Sequence, residues 1–353
     1  MSTCIVITWP NIGNIYHGIF YDIYLFKLYL NADIVWINCR KYGFYSKKHN
    51  ENFYTIFNMV CTKYKNIIFV ENEHFSLLNS NIKEKNNHKY YFMMNVEINP
   101  VYSNWITKMS LLDGCIAKTR GCYNKLLNIK NKYSHSYDII YTNFTSIDYS
   151  KFYTERLYFK SNTQTVSAFD ENIEYYIIDK SIPILKIISY PFNNLHEEYS
   201  FLSFGRKNLE HLINFWIKNS VNLPKLYIKS YHYNFNNVKS DKIEVIDNYI
   251  TEEEKIQLYN KCIFYINLSD IEGFGHNLNE ARSTGRIIIC KNKSPMNELV
   301  NNEIGFVSDN WQKSIQSALS LTKEQIKEKM IQSRKLYEQD TNYFETQVKK
   351  IIK

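Results

Sequence analysis

Ser269-Asp270-Ile271-Glu272-Gly273-Phe274-Gly275-His276-Asn277-Leu278-Asn279-Glu280-Ala281 sets two carboxylates, Glu272 and Glu280, eight positions apart across a glycine-rich turn. Upstream, Cys262 to Leu268 is an apolar run rich in aromatic and β-branched residues, with the length and composition of a buried strand. Downstream, the pattern predicts a helix that begins near Asn277. Two glycines let the backbone come close to a ligand and take up angles closed to other residues, while a helix start presents N–H groups with no partner inside the helix. Strand, turn and helix in this order suit an anion, so a phosphate fits beside the turn.

The same alternation extends in both directions. Cys4-Ile7, Ile34-Ile37, Ile67-Val70, Tyr90-Met94, Cys115-Ala117 and Ile139-Tyr141 form one set of strand-like runs, with helical stretches between them. A second set comprises Phe201-Phe204, Leu226-Ile228, Ile243-Ile246, Ile263-Ile266 and Ile287-Ile289. The pattern predicts an α/β fold of doubly wound parallel sheets. Between the sets, Ile182 to Glu198 carries Pro183, Pro191 and the polar run Asn193-Asn194-Leu195-His196-Glu197-Glu198, and reads as a linker. The expected division is a first domain over 1–193, a second over 194–338 and a terminal helix over 339–353. In the charged stretch Lys323 to Lys353, Asp340-Thr341-Asn342 is placed to end one helix and cap the next.

A chain of 353 residues can bury two cores. No stretch reaches the roughly 18 uninterrupted apolar residues of a membrane span. Ile19 to Leu30 comes nearest, but contains Asp22 and Lys27, and reads as an amphipathic helix on a sheet. Met1 to Ile7 lacks the basic start and long apolar run of a signal peptide. The seven cysteines are scattered without a C-x-x-C pair, which argues against a disulfide or metal framework and for a reducing compartment, the cytoplasm. The net charge of +8 is spread along the chain and suits a polyanionic ligand such as a nucleotide diphosphate. With no zinc-finger, RNP or basic-helix signature, a nucleic-acid partner is not expected.

The turn, its preceding strand and the following Glu280-Ala281-Arg282-Ser283-Thr284-Gly285-Arg286-Ile287-Ile288-Ile289-Cys290 resemble the donor-site signature, E-x7-E, of retaining glycosyltransferases with two Rossmann-like domains, the GT-B architecture, in the large group called family 4. Ser294-Pro295-Met296-Asn297-Glu298-Leu299 is similar to a segment of a subset of such enzymes, many from large DNA viruses, which would make the compartment a host's cytoplasm. The resemblance implies a metal-independent, retaining transfer of a sugar from a UDP- or GDP-sugar to a glycan, protein or other acceptor. It also implies a terminal helix that crosses back to the first domain. It assigns Glu280 to the ribose hydroxyls and Glu272 to the hydroxyls of the donor sugar, in keeping with the ability of a carboxylate to accept two charge-assisted hydrogen bonds from a vicinal diol. Backbone around Gly273, Phe274, Gly275, His276 and Asn277 would line sugar and phosphate, and Ser269 would add a hydroxyl. Asn297 and Glu298 either reach the same pocket or cap the helix after Pro295.

Charge on the departing diphosphate needs cations. In the resembled family an Arg and a Lys supply them at the first strand-helix junction of the second domain, where this chain has Phe201-Leu202-Ser203-Phe204-Gly205-Arg206-Lys207-Asn208-Leu209. Gly205, Arg206 and Lys207 are thereby the candidates. Relatives separate the two cations by several residues whereas Arg206 and Lys207 are adjacent, which leaves open which of them meets which phosphate. The chain has no D-x-D to hold a divalent ion, so neither metal nor cofactor is expected. In the first domain Trp9-Pro10-Asn11-Ile12-Gly13-Asn14 follows the first strand, and the resemblance places its Gly13 against the donor phosphates. Asn95-Val96-Glu97, Lys118-Thr119-Arg120 and Phe144-Thr145-Ser146-Ile147-Asp148 stand at further strand ends, the side at which open α/β sheets bind ligands. Two alternatives stay open: a catalytically silent binding or scaffold module of the same fold, and a glycosyltransferase acting on DNA bases.

Overall fold

The protein is represented by a computed structural model that describes residues 2–8, 17–38, 47–71, 87–95, 106–143, 145–156, 164–167, 174–182, 185–189, 199–204, 208–230, 235, 238, 240–270 and 272–352. Two compact units divide the chain. The first contains Met1–Asn143, Arg156–Lys186 and Tyr343–Lys353; the second contains Phe144–Glu155 and Ile187–Asn342.

In the first unit β1 (Thr3–Thr8), β2 (Asp33–Asn38), β3 (Asn66–Val70), β4 (Lys89–Met93), β5 (Gly114–Ala117) and β6 (Asp138–Tyr141) are the expected strands. They hydrogen-bond in the order β6-β5-β4-β3-β1-β2, all parallel. The side chains of β3 and β5 are buried along their whole length, which explains why these strands read as continuous apolar runs. Four further strands were not expected: β7 (Phe152–Arg156), β8 (Gln164–Ser167), β9 (Glu174–Ile178) and β10 (Leu185–Ser189), with the residues of β7 and β10 divided between the two units. β9 joins β2 antiparallel and β8 joins β9 antiparallel, so the sheet is parallel-dominated with an antiparallel margin. β10 pairs with β7 and occupies part of the stretch read as linker, because Leu185-Lys186-Ile187-Ile188-Ser189 is a β-branched run between the two prolines.

The helix His17–Leu30 is not amphipathic as expected. Ile19, Phe20, Tyr21, Ile23, Leu25, Phe26 and Leu30 are all buried, and so are Asp22 and Lys27. Such burial is tolerated because each charge has a partner. Lys27 Nζ donates to the carbonyls of Asp179 and Lys180, and Asp22 pairs with Lys118. Phe344 meets this helix edge-to-face at Phe26, with centroids 5.7 Å apart.

The second unit is built on β11 (Ser200–Ser203), β12 (Lys225–Lys229), β13 (Ile243–Ile246), β14 (Phe264–Asn267), β15 (Ile287–Cys290) and β16 (Gly305–Val307), in the order β13-β12-β11-β14-β15-β16 and parallel throughout. One face of its core gathers Leu202, Tyr227, Tyr259, Tyr265, Phe274 and Leu278, directly beneath the glycine turn. Lys323–Lys349 is one continuous helix, not two. Asp340 and Thr341 do not break it because their side chains go to tertiary partners, Asp340 to Arg282 and Thr341 to Thr145. Its residues from Tyr343 onward belong to the first unit. Among the described residues no helix is long and apolar enough to cross a membrane, and the six described cysteines are buried thiols.

Candidate functional site

β14 delivers the chain to Leu268 and Ser269, and the helix His276–Ser283 starts directly after Gly275, one residue before the expected position. Gly275 has φ +65°, a backbone conformation that favours glycine, and a Cβ there would lie 3.1 Å from Leu278 Cδ1, so that side chain would have to shift slightly. Gly273 is buried, and Phe274 turns its side chain into the core, which leaves its backbone as its contribution to the turn's surface. Ser269 is buried and its N–H donates to Asn267 Oδ1 at 2.9 Å. Glu272, His276 and Asn277 are half-buried.

Hydrogen bonds hold the turn at both ends of the expected cationic segment. Asn277 Nδ2 donates to the carbonyl of Phe204 at 3.3 Å. On the other flank Asn208 Nδ2 donates to the carbonyl of Leu268 at 2.7 Å and to Asp270 Oδ2 at 2.9 Å. Asn208 stands at φ 60° immediately before the helix Leu209–Lys218, where a helix start was expected. Lys291 completes the flank with a 2.9 Å contact to Asp270, and together Lys291 and Asn208 hold the Asp270 carboxyl below its ordinary range. Phe204 and Asn208 are the residues that bracket Gly205-Arg206-Lys207 in the chain. Gly205, Arg206 and Lys207 themselves, like Gly13, lie outside the described residues.

Glu280 is 1% exposed. Its Oε2 receives Lys255 Nζ at 2.8 Å and the hydroxyl of Tyr259 at 3.0 Å, while Oε1 has no hydrogen-bond partner among the described residues. Lys255 and Tyr259 lie four apart on the helix Glu252–Lys261, so they share a face. A capping box between Thr251 and Glu254 fixes where that helix begins. Burial first, then the neighbouring Glu280 carboxylate, keeps the Tyr259 phenol far above its usual range. Tyr265, buried on β14, is pushed up by burial and then by Glu280 and Glu272, so both carboxylates of the turn act on one phenol. Lys255 also stands 5.0 Å over the Tyr149 ring, and the Tyr149 hydroxyl is bonded to Glu252. Neither Lys255 nor Tyr259 belongs to a recognisable motif. The only trace was their i,i+4 spacing ahead of the strand that feeds the turn.

Other candidates have structural duties. Asn297 is exposed and donates to Asn292 Oδ1 at 3.0 Å, while Glu298 accepts from Ser294 at 2.6 Å, so both serve their own loop and the short helix Met296–Leu299. Lys118 is paired with Asp22, and Thr119 caps the helix Arg120–Tyr133 by accepting from the N–H of Cys122. Asp148 accepts two hydrogen bonds from Arg334, at 2.5 and 2.6 Å. Asn95 is buried at the end of β4; Val96, Glu97, Phe144 and 9–14 lie outside the described residues. Among the described residues no group of three or more His, Cys, Asp and Glu could hold a metal ion.

The architecture is that of GT-B glycosyltransferases. It is similar to a glycosyltransferase from Rickettsia africae ESF-5, with a TM-score of 0.67 and 15% identity over 100% of this chain and 98% of that one. It is similar to Alr3699/HepE of Anabaena in complex with UDP, with a TM-score of 0.64 and 10% identity over 98% of each chain. It is also similar to the sucrose-phosphate synthase tll1590 of Thermosynechococcus elongatus, with a TM-score of 0.63 and 11% identity over 96% of this chain and 94% of that one. No protein-family model and no curated protein sequence matches the chain.

Proposed function

We propose that the chain is a glycosyltransferase that binds a nucleotide-diphosphate sugar at the turn between β14 and the helix His276–Ser283. One observation carries the reading above all: the residues on either side of Gly205-Arg206-Lys207 are both hydrogen-bonded to the glutamate-bearing turn. A diphosphate needs cations and N–H donors beside a diol-binding carboxylate, and this link joins the two halves of such a site. The GT-B likenesses support it, among them a complex of the Anabaena protein with UDP-glucose.

In this reading Glu280 receives the ribose hydroxyls at Oε1, while Lys255 and Tyr259 hold its other oxygen in place. Glu272 receives hydroxyls of the donor sugar. Arg206 and Lys207 take up charge as the bond between anomeric carbon and phosphate oxygen breaks, with the N–H groups around Gly275 adding donors. Since those two cations can serve the diphosphate, the proposed transfer needs no metal or other cofactor. The resemblance of the E-x7-E segment supports retention of anomeric configuration and an acceptor, glycan or protein, bound by the first unit. The scattered cysteines support a cytoplasmic setting.

A panel of UDP- and GDP-sugars tests this. At least one should raise the melting temperature and be slowly hydrolysed, and Glu280→Ala and Lys207→Ala should each abolish both effects. No response to any donor would sink the reading. Donor binding without turnover across a broad acceptor screen would favour the silent module, and strong salt-dependent duplex binding would favour DNA bases as acceptor.

A further inference from the structure

We propose that a groove on the first unit, separate from the donor turn, is a saccharide-binding site. The cavity holds about 610 Å³ and runs along edge strand β6 from Asp138 to Tyr141, with Tyr343, Gln347 and Lys350 of the C-terminal segment opposite. It takes in Lys89 at the start of β4 and Asp113 just before β5, not the strand ends at Met93 and Ala117.

The lining matches a polyhydroxylated ligand. Tyr91 is 6% exposed and faces the cavity, and its hydroxyl has no hydrogen-bond partner among the described residues. Burial, then the Asp113 and Asp138 carboxylates, push this phenol up to about 12, so it remains a neutral donor with two acceptors beside it. Gln347 accepts from Lys350 at 2.9 Å through Oε1, which leaves its amide N–H groups to donate. The groove therefore offers both donors and acceptors, as each sugar hydroxyl demands. Tyr343, 42% exposed, supplies an aromatic face beside Tyr141, with centroids 6.3 Å apart. The Arg120 guanidinium already stands 5.2 Å over the Tyr141 ring, so Tyr343 is the platform for the apolar face of a sugar ring.

Glycine at 114 belongs to the same device. Gly114 pairs with Tyr91 across the strands, and a Cβ there would fall 2.8 Å from Tyr91 Cδ1, so any side chain would displace the ring from the groove floor. Other ligand classes fit worse. Asp113 and Asp138 are balanced by Lys89 and Lys350, which favours neither anion nor cation, and an apolar ligand would strand the carboxylates without water. A pocket with a few convergent polar groups and an aromatic wall is instead the usual setting for a neutral, hydrogen-bonding molecule.

The test uses the full chain without nucleotide, so failure here leaves the donor reading in place. Maltohexaose, cellohexaose and chitohexaose are titrated by calorimetry and by saturation-transfer NMR. At least one should bind. Tyr91→Phe, which keeps the ring and removes only the hydroxyl, should weaken it about fivefold, the loss of one hydrogen bond. Tyr343→Ala, at an exposed position, should weaken it at least as much, and Glu280→Ala should leave it unchanged. The proposal is overturned if none binds at about 10 mM, if binding survives both tyrosine substitutions, or if Glu280→Ala removes it.

Discussion

Among the described residues, Asp22 and Glu280 are buried carboxylates that each pair with a lysine, and the two pairs differ in their access to solvent. In the first unit Lys118 and Asp22 are both 0% exposed, and burial holds the lysine below its ordinary range although Asp22 opposes this. In the second unit Glu280 is 1% exposed, but Lys255 keeps 14% of its side chain exposed. The pair shut off from solvent holds the helix His17–Leu30 against the end of β5. The pair that reaches solvent fixes its carboxylate while its lysine stays partly accessible.

Breaking the pair shut off from solvent should have the largest effect. Lys118→Met strands Asp22 in the core and should cost about 3–5 kcal/mol in urea unfolding. Lys118→Met with Asp22→Leu should recover most of that, and equal losses in single and double variants would contradict the pairing. Lys255→Met should cost only about 1–2 kcal/mol, since this cation reaches solvent, yet it should weaken the donor-induced melting shift because Glu280 is no longer held. A stability loss as large as that of Lys118→Met would erase the distinction drawn between the pairs. Gly275→Ala should cost about 1 kcal/mol for its left-handed backbone, with a matching fall in nucleotide affinity read by calorimetry.

The smallest effect separates a pair of a third kind, Asp148 with Arg334. Burial alone would raise the Asp148 carboxyl, but hydrogen bonds from Arg334 and Ser150 prevail and hold it below its ordinary 3.8. A folded-state value below the unfolded one means that its stabilisation is complete above about pH 4 and is lost as pH falls through the folded value. The urea midpoint of Asp148→Asn should therefore fall less than that of the native chain between about pH 5 and about pH 2.5. Parallel acid limbs would show that the pair contributes nothing.

What could be read in advance followed burial. The eleven apolar runs read as strands are strands, nine of them with a neighbouring strand on both sides, while β6 and β13 form sheet edges and are only partly buried. Gln164-Thr165-Val166-Ser167, at the sheet edge, has a single apolar residue and so no continuous apolar signal, whereas Tyr175-Tyr176-Ile177-Ile178 is an aromatic and β-branched run of the same kind as the others. The glycine turn was legible because positive φ and close approach restrict residue choice locally. Lys255 was not, since it reaches Glu280 from 25 positions away and depends on two helices being packed. The Tyr91 groove is more remote still, assembled from residues between 89 and 350 with no shared motif.

The unbroken helix Lys323–Lys349 has a consequence for how the protein is made and dissected. Phe344, Val348 and Ile351 are buried and belong to the first unit. A fragment ending at Lys186 would thus lack part of its own interior, and on the ribosome the first unit must wait, incomplete, for residues about 160 positions later in synthesis.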